Sequence, residues 1–125
     1  MNNFITLQQA VEMTTLYRQQ KENILAEPFK GQNILVLSET FEREAFDALL
    51  AENDCASIRI YYGMSEDLKI HAIGVGVNSQ GQDILPTEGI PAAGSKTALL
   101  TAQAVIIEQA QRCPDSCGSA SLLNP

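Results

Sequence analysis

The chain has 125 residues, of which 45% are hydrophobic and 18% are charged, and its formal net charge is −7. This length predicts a single domain, and the apolar fraction is sufficient for a core, which excludes a chain disordered by low hydrophobicity. Only eight residues are Lys or Arg, and they are scattered. The sequence therefore predicts no nucleic-acid partner and no docking on an anionic membrane, since both need clustered basic side chains.

The N-terminus lacks the basic and apolar regions of a signal peptide, and no apolar run is long enough to cross a bilayer. These features predict a cytoplasmic protein, in which thiols usually stay reduced. The chain has three cysteines. Because this number is odd, at least one thiol is expected to be unpaired within the chain.

The first element predicted is an amphipathic helix near the N-terminus. Thr6 and Gln9 have the spacing of a capping box, in which each side chain accepts a hydrogen bond from the backbone of the other residue. Apolar residues then recur at steps of three and four, and Pro28 and Gly31 end the helix. The apolar positions are Leu7, Ala10, Val11, Met13, Leu16, Tyr17 and Ile24.

Residues 34–37 are apolar and allow two interpretations, a short buried strand or an extended linker on the core. A second helix is predicted to begin after Thr40 as its N-cap, because Glu42 and Glu44 follow in the first turn, where the helix dipole favours negative charge. This helix closes near Asn53, and its apolar stripe is Phe41, Ala45, Phe46, Leu49 and Leu50.

The strongest strand signal lies in residues 57–78, where apolar and polar residues alternate on both sides of a turn at 63–67. Pairing of Tyr62 with Leu68 would place the large apolar residues of both strands on one face. The other pairs in this register are Ile60 with Ile70, Ile58 with Ala72, Arg59 with His71, and Tyr61 with Lys69.

Beyond Ala72 the alternation changes phase, since Ile73, Val75 and Val77 are the apolar residues. A β-bulge near Ala72 and Ile73 is the favoured prediction, because one extra residue would return the large side chains to the core face. The alternative is a strand that is covered on both faces from Ile73 onward.

Residues 86–96 are predicted to form a loop rich in Gly, Pro and Ala. The last element is ambiguous. A strand from about Ala104 to Gln109 is favoured by its β-branched residues, whereas the composition of 96–112 also allows a helix.

Helices first and strands later predict an α+β fold. We expect two N-terminal helices packed on one face of a small antiparallel sheet built around the 57–78 hairpin, with Phe46 and Ile60 in the core. Residues 1–112 then form one domain, and residues 113–125 form a cysteine-containing segment that we call the tail.

Residues 89–97 nearly match a phosphate-binding P-loop. In that motif Lys directly follows the second Gly, so that its amine reaches the phosphates. Here Ser95 separates Gly94 from Lys96. The segment is therefore predicted to be a loop that binds no nucleotide.

Cys113 and Cys117 are an unusual pair, four residues apart. They match the first two positions of an iron–sulfur signature, but Ala120 occupies the third, so a cluster would lack a ligand. A zinc site would need Cys55 and His71 as further ligands, and His71 is predicted to point away from the core. No metal and no cofactor is therefore predicted. Two free thiols are expected, with a disulfide across a very short loop as the alternative.

The hairpin register brings together one polar group of side chains, namely Arg59, Tyr61, Lys69 and His71. Such a group could bind an anion or a small molecule that carries a carboxylate. The favoured interpretation is plainer, because the solvent-facing side of a hairpin routinely carries these residue types. The single histidine has no nucleophile at a fixed offset, so no catalytic triad is predicted.

Several sequence blocks, spread over nearly the full length, carry a resemblance to a known family. They are Thr6–Leu7, Met13–Thr14, Tyr17–Arg18, Ile34–Leu35, Glu39–Phe41, Ala45–Asp47, Ile58–Met64, Lys69, His71–Ile73, Val75–Asn78, Arg112–Pro114 and Cys117. On these blocks the chain resembles a family of uncharacterised small proteins common in the Bacteroidetes, whose members end in a similar Cys-Pro tail. The resemblance implies no activity, substrate or catalytic residue.

Two functions are compatible with these features. The favoured one is a non-enzymatic cytoplasmic protein that acts through protein contacts, for instance as a homodimer across a sheet edge or the 86–103 loop. The alternative is a small-molecule-binding or thiol-dependent enzyme that uses the Arg59, Tyr61, Lys69 and His71 face or the tail thiols Cys113 and Cys117.

Overall fold

The structure, a computed structural model, describes residues 2–86, 100–101 and 104–125, and only the backbone of residues 100–101. Its elements are α1 (Leu7–Gln20), a short 3₁₀ helix (Glu27–Phe29), β1 (Ser38–Thr40), α2 (Arg43–Leu50), β2 (Cys55–Met64), β3 (Ile70–Asn78), β4 (Asp83–Pro86), β5 (Leu100–Thr101), β6 (Ile106–Ile107) and β7 (Gln111–Cys113). The predicted α+β class is confirmed. The P-loop-like residues 89–97 lie outside the described part of the chain.

Strand β3 is the centre of the larger sheet. It pairs antiparallel with β2 along one side, and with β4 and β6 along the other. Strand β5 then adds to β4 in parallel. Strands β1 and β7 form a separate antiparallel pair, in which Glu39 lies opposite Arg112.

The predicted hairpin register is wrong by four residues. Tyr62 lies opposite Ala72 rather than Leu68, and Ile60 lies opposite Gly74 rather than Ile70. Leu68 belongs to the turn, where it adopts a left-handed backbone with φ of 66° and donates its N–H to the Ser65 carbonyl at 2.8 Å. A shift by an even number keeps the side chains of 58–62 and 70–72 on their predicted faces, so the separation of the two faces survives there while the pairs change.

The predicted bulge near Ala72 and Ile73 is also wrong. Pairing along β3 is unbroken, and the one irregularity in the described ladder lies in β2, between Cys55 and Ser57. Residues 74–77 are all buried. The alternative interpretation, a strand covered on both faces, is therefore correct for this part of β3.

Helix α2 covers one face of β3, and Gly74 leaves room for the side chains that pack there. Leu49 of α2 is completely buried. A Cβ atom on Gly74 would lie 2.7 Å from Cγ1 of Ile107 and 3.6 Å from Cδ1 of Leu49.

The predicted N-cap of α2 is wrong, because Thr40 ends β1 and the N-cap is Glu42, whose side chain makes no capping hydrogen bond.

Helix α1 begins with the predicted capping box, in which Thr6 and Gln9 each accept a backbone N–H from the other. None of its residues is buried. Its contacts include a hydrogen bond from the Tyr17 hydroxyl to the Val36 carbonyl at 2.6 Å. Packing of α1 on the sheet face stays a prediction, whereas α2 contacts β2, β3 and β6.

The structure distinguishes the alternatives for the apolar segments 34–37 and 104–109. Residues 34–37 form no strand, and Ile34 is buried, so this segment is a linker, with bends at Ile34, Leu35 and Leu37. Within 104–109 the structure has strand β6 and not a helix, although it is shorter than predicted. Within the described residues, no helix is both long and apolar enough to span a bilayer.

Candidate functional site

The four polar hairpin residues fall into two separate groups, Arg59 with Tyr61 along β2, and His71 with Lys69 at the β2–β3 turn, where Lys69 Nζ lies 3.9 Å from Asp67 Oδ2. Arg59 Nη1 lies 2.6 Å from Asp83 Oδ1, and the Tyr61 hydroxyl donates to the other oxygen of Asp83. His71 lies opposite Gly63, four residues along β2 from Arg59. The predicted pairing of Arg59 with His71 and of Tyr61 with Lys69 is wrong, because the longer turn moves β3 along β2.

His71 belongs to a polar cluster at the β2–β3 turn. Its Nε2 lies 3.1 Å from Ser65 Oγ, and its Nδ1 lies 3.2 Å from Glu108 Oε1. Beside it opens a shallow cleft of about 240 Å³, which Ile73 also lines. The order serine, histidine, carboxylate is that of a catalytic triad.

Other contacts of Ser65 argue against a nucleophile. Its hydroxyl donates to Asp67, which lowers the pKa of that carboxyl. Its backbone N–H donates to the Lys69 carbonyl at 3.0 Å. The amide of Ser65 is therefore not free to stabilise an oxyanion. These bonds are better suited to holding the turn than to acyl transfer.

A half-buried groove lies between the 34–37 linker, β1, the sheet and α1. It encloses about 580 Å³, within the range of about 300–1,000 Å³ that is typical of ligand sites. Its walls are the linker and β1 residues Leu35, Val36, Leu37, Ser38 and Glu39, the sheet residues Ile60, Tyr62, Ile70 and Ala72, and Tyr17 of α1. We call it the β2 groove.

Glu39, which lines the β2 groove, forms a largely buried ion pair with Arg112. Glu39 Oε1 lies 3.3 Å from Arg112 Nη1, and the two side chains are only 13% and 12% exposed. Glu39 also accepts the Ala72 N–H at 2.8 Å, and Arg112 donates to the Ile70 carbonyl. The pair thus ties β1 and β7 to the start of β3. Local sequence does not indicate this role of Glu39, because its partner Arg112 lies 73 residues away.

Tyr17 joins the groove to α1. Its hydroxyl donates to Val36, and burial, followed by the charge of Glu22, raises its pKa. Tyr17 also borders exposed apolar side chains, namely Met13 and Leu16 of α1 and Ile24 just beyond its end, which are 65%, 60% and 72% exposed. The groove and this side of α1 therefore meet at Tyr17.

The open edge of β2 borders the same groove. Within the described residues β2 pairs with β3 alone, although it is ten residues long. Tyr62 and Met64 are 77% and 60% exposed, and Ile60, predicted to be a core residue, is 38% exposed. The prediction for Ile60 is wrong because α2 covers the glycines of β3 rather than this part of β2. A long uncovered edge strand is a template for pairing with another chain.

The expectation of two free tail thiols is wrong, because Cys113 and Cys117 form a disulfide with their Cα atoms 4.5 Å apart. Pairing of β7 with β1 fixes Cys113, and the Ser116 N–H donates to the Arg112 carbonyl at 2.7 Å, which turns the chain back. Cys55 is free. Within the described part of the chain, no three His, Cys, Asp or Glu side chains cluster as a metal site would require.

The tail contacts α1 through a hydrogen bond. Arg18 Nη1 donates to the Leu123 carbonyl at 2.9 Å, whereas the Leu122 and Leu123 side chains remain 66% and 41% exposed. Asn124 donates to the Cys117 carbonyl at 3.2 Å. The disulfide and hydrogen bonds from side chains to backbone carbonyls, rather than burial of the two leucines, therefore hold the tail.

Comparison with protein-family models, with curated proteins and with solved structures gave no match to this chain.

Proposed function

We propose that the protein acts through protein contacts rather than catalysis, and that it pairs with a second copy of itself along the open edge of β2. The observation that carries this proposal is the coincidence of that edge with the β2 groove. A strand added to β2 would gain main-chain hydrogen bonds at the edge. Every second side chain of that strand would enter apolar surroundings.

The sequence of β2 favours a second copy as the added strand. In an antiparallel pair centred on Ile60, the two Ile60 side chains face each other and Ile58 faces Tyr62 of the other copy, all on the groove face. On the opposite face Arg59 lies beside Tyr61, an arrangement compatible with a cation–π contact. Centring on Arg59 would instead oppose two like charges, which destabilises a cross-strand pair.

The net charge of the protein should weaken this association at low ionic strength. Two copies of net charge −7 repel each other at long range. Strand β2 carries a single charged residue, Arg59, which already pairs with Asp83. Added salt screens the long-range repulsion with little effect on the contact itself. Self-association should therefore strengthen as ionic strength rises.

The same pairing would bring α1 into contact with the second copy. Its apolar side continues the surface of the β2 groove through Tyr17. We infer that packing of both helices over one sheet face is completed when the second copy covers this surface. A cytoplasmic location belongs to the same proposal, since it rests on sequence features.

Sedimentation equilibrium tests the proposal with lysine substitutions at two residues that are similarly exposed in the parent protein. Ile60→Lys places a charge at the centre of the proposed interface and should weaken dimerisation at least about tenfold, because burying an unpaired charge is costly. Val105→Lys is the control, since Val105 is 37% exposed and lies beside β6 on the other side of β3. Equal dimerisation of the two variants, or a monomeric parent protein, would refute the proposal.

A further inference from the structure

We propose that the Cys113–Cys117 disulfide is a thiol–disulfide exchange site, which a dithiol reductant enters at Cys117 and which controls how firmly α1 is held. The inference is independent of β2-edge pairing. Cys113 has none of its surface exposed, whereas Cys117 is exposed. An incoming thiolate must reach a sulfur along the S–S axis, so exposure decides which sulfur is attacked.

The exchange proceeds in two balanced steps. A thiolate of the reductant attacks Sγ of Cys117, the S–S bond breaks, and Cys113 leaves with the electron pair and takes up a proton. The second thiol of the reductant then attacks the mixed disulfide and releases Cys117, which is protonated in turn. The protein gains two electrons and two protons, and the dithiol becomes a disulfide.

Contacts of the tail connect this bond to α1. The disulfide fixes Cys117 beside β7, and Asn124 donates to the Cys117 carbonyl at 3.2 Å. Ser121 and Asn124 exchange two backbone hydrogen bonds, of 3.0 and 3.1 Å, and so present the Leu123 carbonyl to Arg18. Because α1 has no buried residue, each such contact is a large share of what holds it. Opening the disulfide frees Cys117 and loosens the tail from α1.

The site of attack is tested in a Cys55→Ser background, where the disulfide holds the remaining two cysteines. Glutathione is added without denaturant, the mixture is acid-quenched, and tandem mass spectrometry locates the adduct in the tail. We expect glutathione on Cys117 in at least about tenfold excess over Cys113, as access controls exchange. An adduct mainly on Cys113, or a disulfide that glutathione never opens in the folded protein, would overturn the assignment.

Release of α1 is tested by limited trypsin digestion with and without dithiothreitol. Cleavage after Lys21, whose side chain is 15% exposed at the end of α1, should accelerate about fivefold on reduction, while cleavage after Arg59 in β2 stays constant. Arg18→Gln removes the contact with Leu123 and keeps the disulfide. This variant should be cleaved fast at Lys21 in both conditions. Unchanged cleavage at Lys21, or a parallel rise at Arg59 that signals general unfolding, would contradict the control of α1.

Discussion

The ion pair of Glu39 and Arg112 shows how a single contact organises this molecule. Both side chains are nearly buried, and each also bonds the backbone at the start of β3. Arg112 Nη2 has no hydrogen-bond partner among the described residues. A buried charge that loses its partner is costly, because neither water nor an opposite charge then compensates it.

Glu39→Gln should therefore lower the free energy of unfolding by about 3 kcal/mol, since it leaves Arg112 as an uncompensated buried charge. Arg43→Gln is the matched control, because the Arg43–Asp47 pair is 90% and 57% exposed. The control should change stability by less than about 0.5 kcal/mol, as exposed pairs usually do. Urea denaturation of both variants measures the difference, and equal effects would exclude a structural role for the buried pair.

The hydroxyl of Tyr17 should also contribute to stability. Tyr17→Phe should cost about 0.5–1.5 kcal/mol, the usual value for one hydrogen bond, because the Val36 carbonyl loses its donor. The raised pKa of Tyr17 means that the folded state favours the neutral phenol. Its contribution is fully present below pH 10, the ordinary pKa, and is lost as pH rises through the folded pKa.

The measurement is the urea midpoint between neutral pH and the alkaline range. The parent protein should lose stability above about pH 10 more steeply than Tyr17→Phe, so that the two curves converge. Parallel curves would show that the Tyr17 hydroxyl titrates as it does in the unfolded chain.

At the scale of elements, features that depend on residues close together in the chain could be predicted from sequence, whereas features that depend on distant residues could not. The capping box of α1 lies within four consecutive residues, and it is where the sequence placed it. The faces of β2, and of β3 as far as Ala72, follow from alternation and are also correct. The register depends on a left-handed Leu68 and on hydrogen bonds of Ser65, which no periodicity encodes. The groove depends on Tyr17, on a linker and on two strands, so its parts could not be joined in advance.

The position of α2 makes a further prediction. Leu49→Ala should cost about 2–5 kcal/mol, because Leu49 is completely buried against β3 and its loss leaves a cavity. Ile60→Ala should cost about 1 kcal/mol or less in the monomer, since Ile60 is already 38% exposed. Chemical denaturation at low protein concentration compares the two. A larger cost for Ile60 would mean that β2 is covered from the groove side.

At the scale of the whole molecule, the protein has a core between α2 and the larger sheet, and α1 and the tail are attached to it by few contacts. The core includes Leu49, Val75, Val77, Ile84 and Ile107. Helix α1 and the tail lie outside it and meet through Arg18 and Leu123. Exposed apolar side chains of the described residues include Ile60 and Tyr62 of the β2 groove and Met13 and Leu16 of α1. Contiguous exposed apolar surface marks protein-interaction or ligand-binding sites.

Cysteine cross-linking at position 60 tests β2-edge pairing most directly. In a Cys55→Ser background, Ile60→Cys should form a covalent dimer on mild oxidation, because residues at the centre of a symmetric antiparallel pair have Cβ atoms about 4.5–5.5 Å apart. Val105→Cys, of similar exposure and outside the proposed interface, should stay monomeric. An Ile60→Cys protein that remains monomeric, or that cross-links no faster than the Val105→Cys control, would contradict pairing along β2.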